Sequence, residues 1–395
     1  MNSVSRDVEA DANRRSSSDA VYITGSGAFL PGDPVGNDRI EDFIGRMPAG
    51  CSALGRRALR WNGINQRHYA LDVDGRWRHS NASMCADALR RALDHAGLVR
   101  EDLECLATAT SQGDLLVPGH ASAVHGELGG GELELASFQS VCASSLMAAK
   151  YAWMSVKTGE AATAATVAGE FSSRWFRPEF YVGTDLLDGK GRLSMAPDFL
   201  RFTLSDGAGA VVMESQPRPG QLGLKIDWID LMSLAGRFDA CMWAGATSQA
   251  RSDLDGSWSR LGPLSAHRAG AMALQQDFTL LKSVIRAWVG AYLEKVDRGR
   301  IEPRAVDHLL CHYSARSLRE EIVALLEATD AMIPEERWFT TLPDTGNVGA
   351  ASIWIMLDAL FRSGRLEAGE KILCIVPESG RAMVGFMMLE VVEGR

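Results

Sequence analysis

The sequence predicts an α/β protein, and three observations carry that prediction. From Val21 onward, segments of strand character alternate with segments of helical periodicity. The alternation starts afresh after the breaker Pro217-Arg218-Pro219-Gly220. Finally, 395 residues with 46% hydrophobic and 23% charged side chains can bury a large core, which excludes collagen-like, low-complexity and wholly disordered chains. At about 100–200 residues per domain, this length allows two domains or one large fold of two halves. A duplicated fold fits the repeated pattern.

Taken in order, residues 1–20 hold a Ser16-Ser17-Ser18 run and no aromatic residue, so a disordered tail is expected. Val21-Tyr22-Ile23-Thr24-Gly25-Ser26-Gly27-Ala28-Phe29-Leu30 is the first strand, closed by Pro31-Gly32. Residues 83–96 form a helix with Met84, Ala88, Leu89, Ala92 and Leu93 on one face and Gly97 as its cap. A buried strand over 103–110, a helix over 121–128, a strand over 133–139 and an Ala-rich core helix over 143–157 follow. Strands over 163–170 and 208–214 complete an N-terminal half spanning 21–216.

The second half, 217–395, begins with a strand over 222–231. Next come a long helix over 272–296, a strand over 306–313 and helices over 317–328 and 350–361, with final strands over 371–377 and 382–392. Residues 235–268, with Trp243, Trp258 and little periodicity, are too long for a routine connection. They read as a pocket-shaping insertion, the alternative being a solvated loop of no consequence.

The balance of 41 basic and 50 acidic residues, formally −9, argues against nucleic acid or anionic lipid as a general partner. No apolar run reaches the roughly 18–20 residues of a membrane helix, and the N-terminus lacks the apolar core of a signal peptide, so no membrane association and a cytoplasmic location are expected. Seven singly scattered cysteines fit neither a disulfide framework nor a zinc site. His120, His125 and His267 show no metal-ligand spacing, and no metal is expected.

One cysteine stands apart. Cys142, in Ser140-Val141-Cys142-Ala143-Ser144-Ser145-Leu146, lies where a strand gives way to an apolar helix. The positive end of the helix dipole there favours the thiolate, and the local amide can donate to an oxyanion. The structural alternative is a buried cysteine at a tight turn. His312 sits where a strand ends and a helix begins, a position at which α/β sites collect and at which hydrogen-bonded structural histidines also occur. Asn347, in Gly346-Asn347-Val348-Gly349, would by itself be a helix cap. Glu170 ends a strand and has two readings, an approach to the site and, the favoured one, half of a structural ion pair.

The order and spacing of Cys142, His312, Gly346-Asn347 and the turn Glu378-Ser379-Gly380-Arg381 resemble the thiolase-fold condensing enzymes of the β-ketoacyl-[acyl carrier protein] synthase III type. The resemblance runs from about residue 21 to 392. It includes Ile23-Thr24-Gly25-Ser26-Gly27, Asn62-Gly63-Ile64-Asn65-Gln66-Arg67, Pro118-Gly119-His120-Ala121, Gly207-Ala208-Gly209-Ala210-Val211-Val212 and Ala350-Ala351-Ser352.

It implies a thiolase-like fold of two duplicated βαβαβαββ halves in a five-layer αβαβα arrangement, in a homodimer. It also implies that Cys142 accepts an acyl group from an acyl carrier protein or coenzyme A thioester, with its own amide and one near Gly380 as the oxyanion hole. His312 and Asn347 would stabilise the enolate left by malonyl decarboxylation, and no cofactor is needed.

The sequence also departs from the family pattern. The housekeeping enzymes hold the coenzyme A adenine with an arginine in an Arg-Thr-Gly-Ile element and a tryptophan four residues earlier, whereas here Trp61 precedes Asn62-Gly63-Ile64 and Arg57 stands four before it. The pair is reversed, and reversed stacking and loss of coenzyme A recognition are both open. The family's His-Gln-Ala-Asn element is His312-Tyr313-Ser314-Ala315 here, which points to a specialised-metabolism member. Arg56, Arg57, Arg60, Arg316 and Arg319 offer a positive mouth for an acidic carrier, or an ordinary solvated face.

The first expectation is therefore decarboxylative Claisen condensation in polyketide or fatty-acid-derived natural product assembly. The second keeps acyl-Cys142 but passes the acyl group to an alcohol or amine with His312 as base. A non-catalytic partner subunit is the third.

Overall fold

The computed structural model describes residues 18, 20–251 and 253–394. The tail expected over 1–20 lies outside the described residues, Ser18 and Ala20 apart. Among the described residues one nine-stranded sheet dominates. Its strands are β1 (Tyr22–Phe29), β2 (Cys105–Thr110), β3 (Glu134–Gln139), β4 (Thr163–Glu170), β5 (Gly207–Glu214), β6 (Leu222–Ser233), β7 (His308–Cys311), β8 (Lys371–Glu378) and β9 (Met383–Glu393). The flanking helices include α1 (Asn81–Ala96), α2 (His120–Leu128), α3 (Ser144–Thr158), α4 (Phe278–Asp297), α5 (Arg316–Glu327) and α6 (Ser352–Phe361).

The strand order is β7-β8-β9-β6-β1-β5-β4-β2-β3. Read outward from the central β6–β1 pair, the first half runs β1-β5-β4-β2-β3 and the second β6-β9-β8-β7. Directions repeat as well. β2 lies parallel to β3 and β4, then β4–β5 and β5–β1 are antiparallel. In the second half β7–β8 is parallel and β8–β9 and β9–β6 are antiparallel. The counterpart of β3 is reduced to a single parallel bridge between Leu309 and Trp338, with the Phe339 N–H donating to the Leu309 carbonyl at 2.9 Å. β1 and β6 pair only at Tyr22–Lys225 and Ile23–Leu224.

Three apolar cores separate the layers. α1 and α2 pack outside the first half, and α4 and α5 outside the second. Between the halves α3 and α6 share a core with strands of both. This is the thiolase-like αβαβα arrangement.

α6 buries the consecutive run Ile353 to Leu357, which points to every side of the helix, and Asp358 is its one charged side chain. α1 is started by a Ser80–Ser83 capping box and stopped by Gly97 in the left-handed region. It lies so close to β1 that a Cβ on Gly27 would stand 2.4 Å from the Ala88 carbonyl oxygen.

Most element ends fall within two residues of the sequence expectation. The helix expected from residue 272 is an exception. It starts at Phe278, because Asp277 caps it by accepting from the Thr279 and Leu280 amides and Gln275–Gln276 is used as a strand against Met242–Trp243. Residues 235–268 are likewise more ordered than expected, holding Met242–Trp243 and the short helices Trp258–Leu261 and Pro263–Arg268.

Candidate active site

Cys142 sits on the turn between β3 and α3. The Ser144 hydroxyl donates to the Val141 carbonyl (2.6 Å) and the Ser145 hydroxyl to that of Cys142 (2.9 Å), which ties the turn to the first residues of α3. His312 follows β7 directly, and its N–H donates to the Ile375 carbonyl of β8. The two halves thereby bring His312 Nε2 to 3.1 Å from Cys142 Sγ, both residues being buried.

Asn347 is fixed by its backbone carbonyl, which accepts from the Ser205 N–H (2.9 Å). Its Oδ1 accepts from the Gly349 N–H (2.9 Å), so it caps the turn Gly349–Ala351 and presents its amide nitrogen as the remaining side-chain donor. Cys142, His312, Asn347 and Gly380 all line one cavity of about 600 Å³.

The electrostatics correct one expectation. Position near a helix start does not produce a thiolate here. Burial first, then the charges of Glu378 and Glu170, push the Cys142 thiol well above its ordinary range, and its own amide lowers it only in part. Burial pushes His312 down to about 4. The resting pair is therefore a neutral thiol against a neutral imidazole, and such an imidazole can take the thiol proton as the sulfur attacks.

Two buried carboxylates flank this pair. Glu378, at the end of β8, accepts from the Ser140 hydroxyl on Oε1 (2.6 Å) and from the Ala143 N–H on Oε2 (3.1 Å), the residues on either side of Val141-Cys142. Glu170, at the end of β4, forms no ion pair among the described residues, contrary to the favoured expectation. Its Oε1 accepts from the Ser111 N–H (3.0 Å), the Ser111 hydroxyl (2.7 Å) and the Ala350 N–H (3.2 Å). Burial raises Glu170 to about 7 and also raises Glu378. The Glu170 side chain fits only because residue 349 is glycine: a Cβ there would stand 3.0 Å from Glu170 Oε1, at a φ of +51°.

Ala240, Met242, Trp243, Gly245 and Trp258 line the cavity from the 235–268 region. The Gly380 carbonyl holds the start of this region by accepting from the Cys241 and Met242 amides. Trp175 and Trp288 add apolar wall.

Arg57, Trp61 and Arg316 do not line the cavity. The Arg57 guanidinium lies 5.7 Å from the Trp61 ring, so the reversed pair stacks on itself on an exposed helix, Ala53–Asn62. Arg316 donates to the Arg60 carbonyl (3.1 Å) and so joins that helix to α5. Arg319 does not contribute to an open positive mouth. It pairs with Glu335 and lies over Trp338.

Sequence reasoning missed Glu378, Ser111, Trp175 and Trp288 as site residues. The one signal available was that the eight-residue β4 and β8 both end in Glu. Of the seven cysteines, Cys51 is exposed and the other six are buried. Among the described residues no group of three or more His, Cys, Asp or Glu could hold a metal, and no helix is long and apolar enough to cross a membrane.

Comparison with known proteins agrees with this layout. Residues 296–388 match the family model 3-Oxoacyl-[acyl-carrier-protein (ACP)] synthase III C terminal. Among solved structures, AbyA1, a tetronic acid condensing enzyme, superposes with a TM-score of 0.73 at 21% identity, covering 94% of this chain and 99% of that one. The 3-oxoacyl-[acyl-carrier-protein] synthase III of Aquifex aeolicus VF5 gives 0.68 at 20% identity, covering 94% and 99%. The priming β-ketosynthase of the R1128 polyketide pathway gives 0.69 at 21% identity, covering 96% and 98%. The fold is thus that of the thiolase-type condensing enzymes. Within it, residues 296–388 carry the match to the synthase III C-terminal family model.

Proposed function

We propose that this protein is an acyltransferase of the ketosynthase III type. It loads an acyl group onto Cys142 from an acyl carrier protein or coenzyme A thioester and condenses it with a malonyl-type thioester. The observation that carries the proposal is the 3.1 Å contact between His312 Nε2 and Cys142 Sγ inside the cavity that Asn347 also lines.

In the loading step His312 takes the Sγ proton while sulfur attacks the thioester carbon. The oxyanion is met by the amides of Cys142 and Gly380. Collapse expels the donor thiolate, which takes a proton from solvent, while His312 gives up its Nδ1 proton to solvent and keeps the one received on Nε2. In the second step His312, carrying its proton on Nε2, and the Asn347 amide donate to the carbonyl oxygen of the malonyl thioester. The carboxylate leaves as carbon dioxide, and the electron pair of the broken bond attacks acyl-Cys142. Sulfur departs with its pair and takes up one proton. Donation from neutral groups suits an enolate, since neither must hold a permanent charge.

The pathway proposed is polyketide or fatty-acid-derived natural product assembly by a homodimer, with Arg57, Trp61 and Arg316 forming the outer contact with the carrier or coenzyme A. A mass-shift screen with carrier-protein and coenzyme A thioesters of varied length tests the reading. It expects one acyl adduct on Cys142 and carbon dioxide release from the malonyl thioester, and an adduct on any other residue would sink it. A second reading, transfer to an alcohol or amine without decarboxylation, is favoured by one observation: the partner-free oxygen of Glu170.

A further inference from the structure

We propose that Glu170 is a general base of this site, which discharges acyl-Cys142 onto an acceptor that attacks through a hydroxyl or amine and has nothing to decarboxylate. The proposal rests on the acyl-Cys142 intermediate above and concerns only what receives the acyl group.

The geometry carries it. All three hydrogen bonds to Glu170 fall on Oε1, and none is made by Oε2. The residue is 4% exposed, and it lines the cavity together with Cys142 and His312. Among the described residues Oε2 is the carboxylate oxygen left to accept from a group arriving in the cavity.

Both oxygens of Glu378 are taken by the turn around Cys142, and His312, which serves the loading step, is pushed by burial to about 4 and is the weaker base at neutral pH. The charged and titratable groups around Glu170 are few. Arg174 is held by Asp114 at 2.7 Å, while the thiols of Cys85 and Cys142 are both raised in part by the Glu170 charge. A carboxyl kept near 7 by burial also has the basicity that proton abstraction at neutral pH calls for.

The step balances without a co-reactant. Glu170 Oε2 takes the proton of the attacking hydroxyl or amine as its lone pair bonds the acyl carbon. The C–S bond breaks, sulfur keeps the pair, and the proton passes from Glu170 through His312 to Cys142 Sγ, restoring carboxylate, imidazole and thiol. A malonyl acceptor makes no use of the base, because its electron pair comes from the lost carboxylate.

The test uses the whole enzyme loaded from a panel of acyl N-acetylcysteamine thioesters, acetyl to lauroyl. Discharge to water and to ethanolamine is followed by intact mass between roughly pH 5 and 9. Wild type should discharge faster as pH rises through the Glu170 midpoint. Glu170→Gln should still load Cys142, no slower than wild type because a charge that raises the thiol is gone, and should still return its acyl group to N-acetylcysteamine through His312 and release carbon dioxide from malonyl N-acetylcysteamine. It should also discharge about 10²–10⁴-fold more slowly and lose the pH dependence.

Discharge at the wild-type rate by Glu170→Gln overturns the proposal. So does an equal loss of loading, discharge and decarboxylation, which would mark a structural role. If Glu170→Gln fails to fold, Ser111→Ala, which removes only the 2.7 Å bond to Oε1, should shift the wild-type pH midpoint upward; an unmoved midpoint overturns the proposal as well. Failure of every thioester to load Cys142 is a different result, and it would remove the acyl-enzyme itself.

Discussion

Glu170 and Glu378 occupy the same place in the two halves of the molecule, the last residue of the fourth strand counted in the order of the first half. Both are buried, and both push the Cys142 thiol upward. They differ in what their oxygens do. Glu378 spends both on the Ser140 hydroxyl and Ala143 amide that frame the nucleophile. Glu170 concentrates three bonds on one oxygen and leaves the other to the cavity. The two halves thus place a carboxylate at matching strand ends; one is fully engaged by the turn around Cys142, and the other keeps one oxygen without a hydrogen bond among the described residues.

That contrast can be broken experimentally, most drastically by removing the group both carboxylates face. Cys142→Ala should show no acyl adduct with any thioester in intact-mass measurement.

A smaller effect is the pH dependence of stability. Because folding raises Glu170 from its ordinary value near 4.5 to about 7, the folded state binds the proton more tightly than the unfolded one. The stability linked to this group is fully present below the unfolded value and is lost as pH rises through the folded one. Its loss should amount to about 2–4 kcal/mol, and Glu170→Gln should flatten that part of the curve in denaturant titrations. An unchanged slope would mean that Glu170 is not held protonated by its burial.

Glu378→Gln should act on the nucleophile instead. An amide cannot accept on both ends, so either Ser140 or the Ala143 N–H loses its partner. Stability should fall by about 1–3 kcal/mol and loading should slow, whereas Glu170→Gln, which removes a charge that raises the thiol, should not slow loading. Equal loading rates in the two variants would erase the distinction between the carboxylates.

The mildest probe is Gly349→Ala. A methyl group at that position meets Glu170 Oε1 at 3.0 Å on backbone with φ of +51°. A loss of roughly 1–2 kcal/mol in thermal or chemical denaturation is expected, with discharge of the acyl-enzyme affected before its formation.

The sequence alone determined the order of strands and helices, because periodicity and breakers such as Pro217-Arg218-Pro219-Gly220 are local properties. Cys142, His312 and Asn347 stood out as a set through the order and spacing that resemble a known family, since each alone also read as a buried thiol, a structural histidine or a helix cap. Tertiary structure decided what that pattern could not show. The bonds that fix Glu170 reach 59 residues back to Ser111 and 180 forward to Ala350, and those of Glu378 reach 238 residues to Ser140. The ionisation state of Cys142 followed from burial and two distant carboxylates rather than from its own turn. Desolvation and Coulomb interactions act through space, so no local pattern along the chain encodes them.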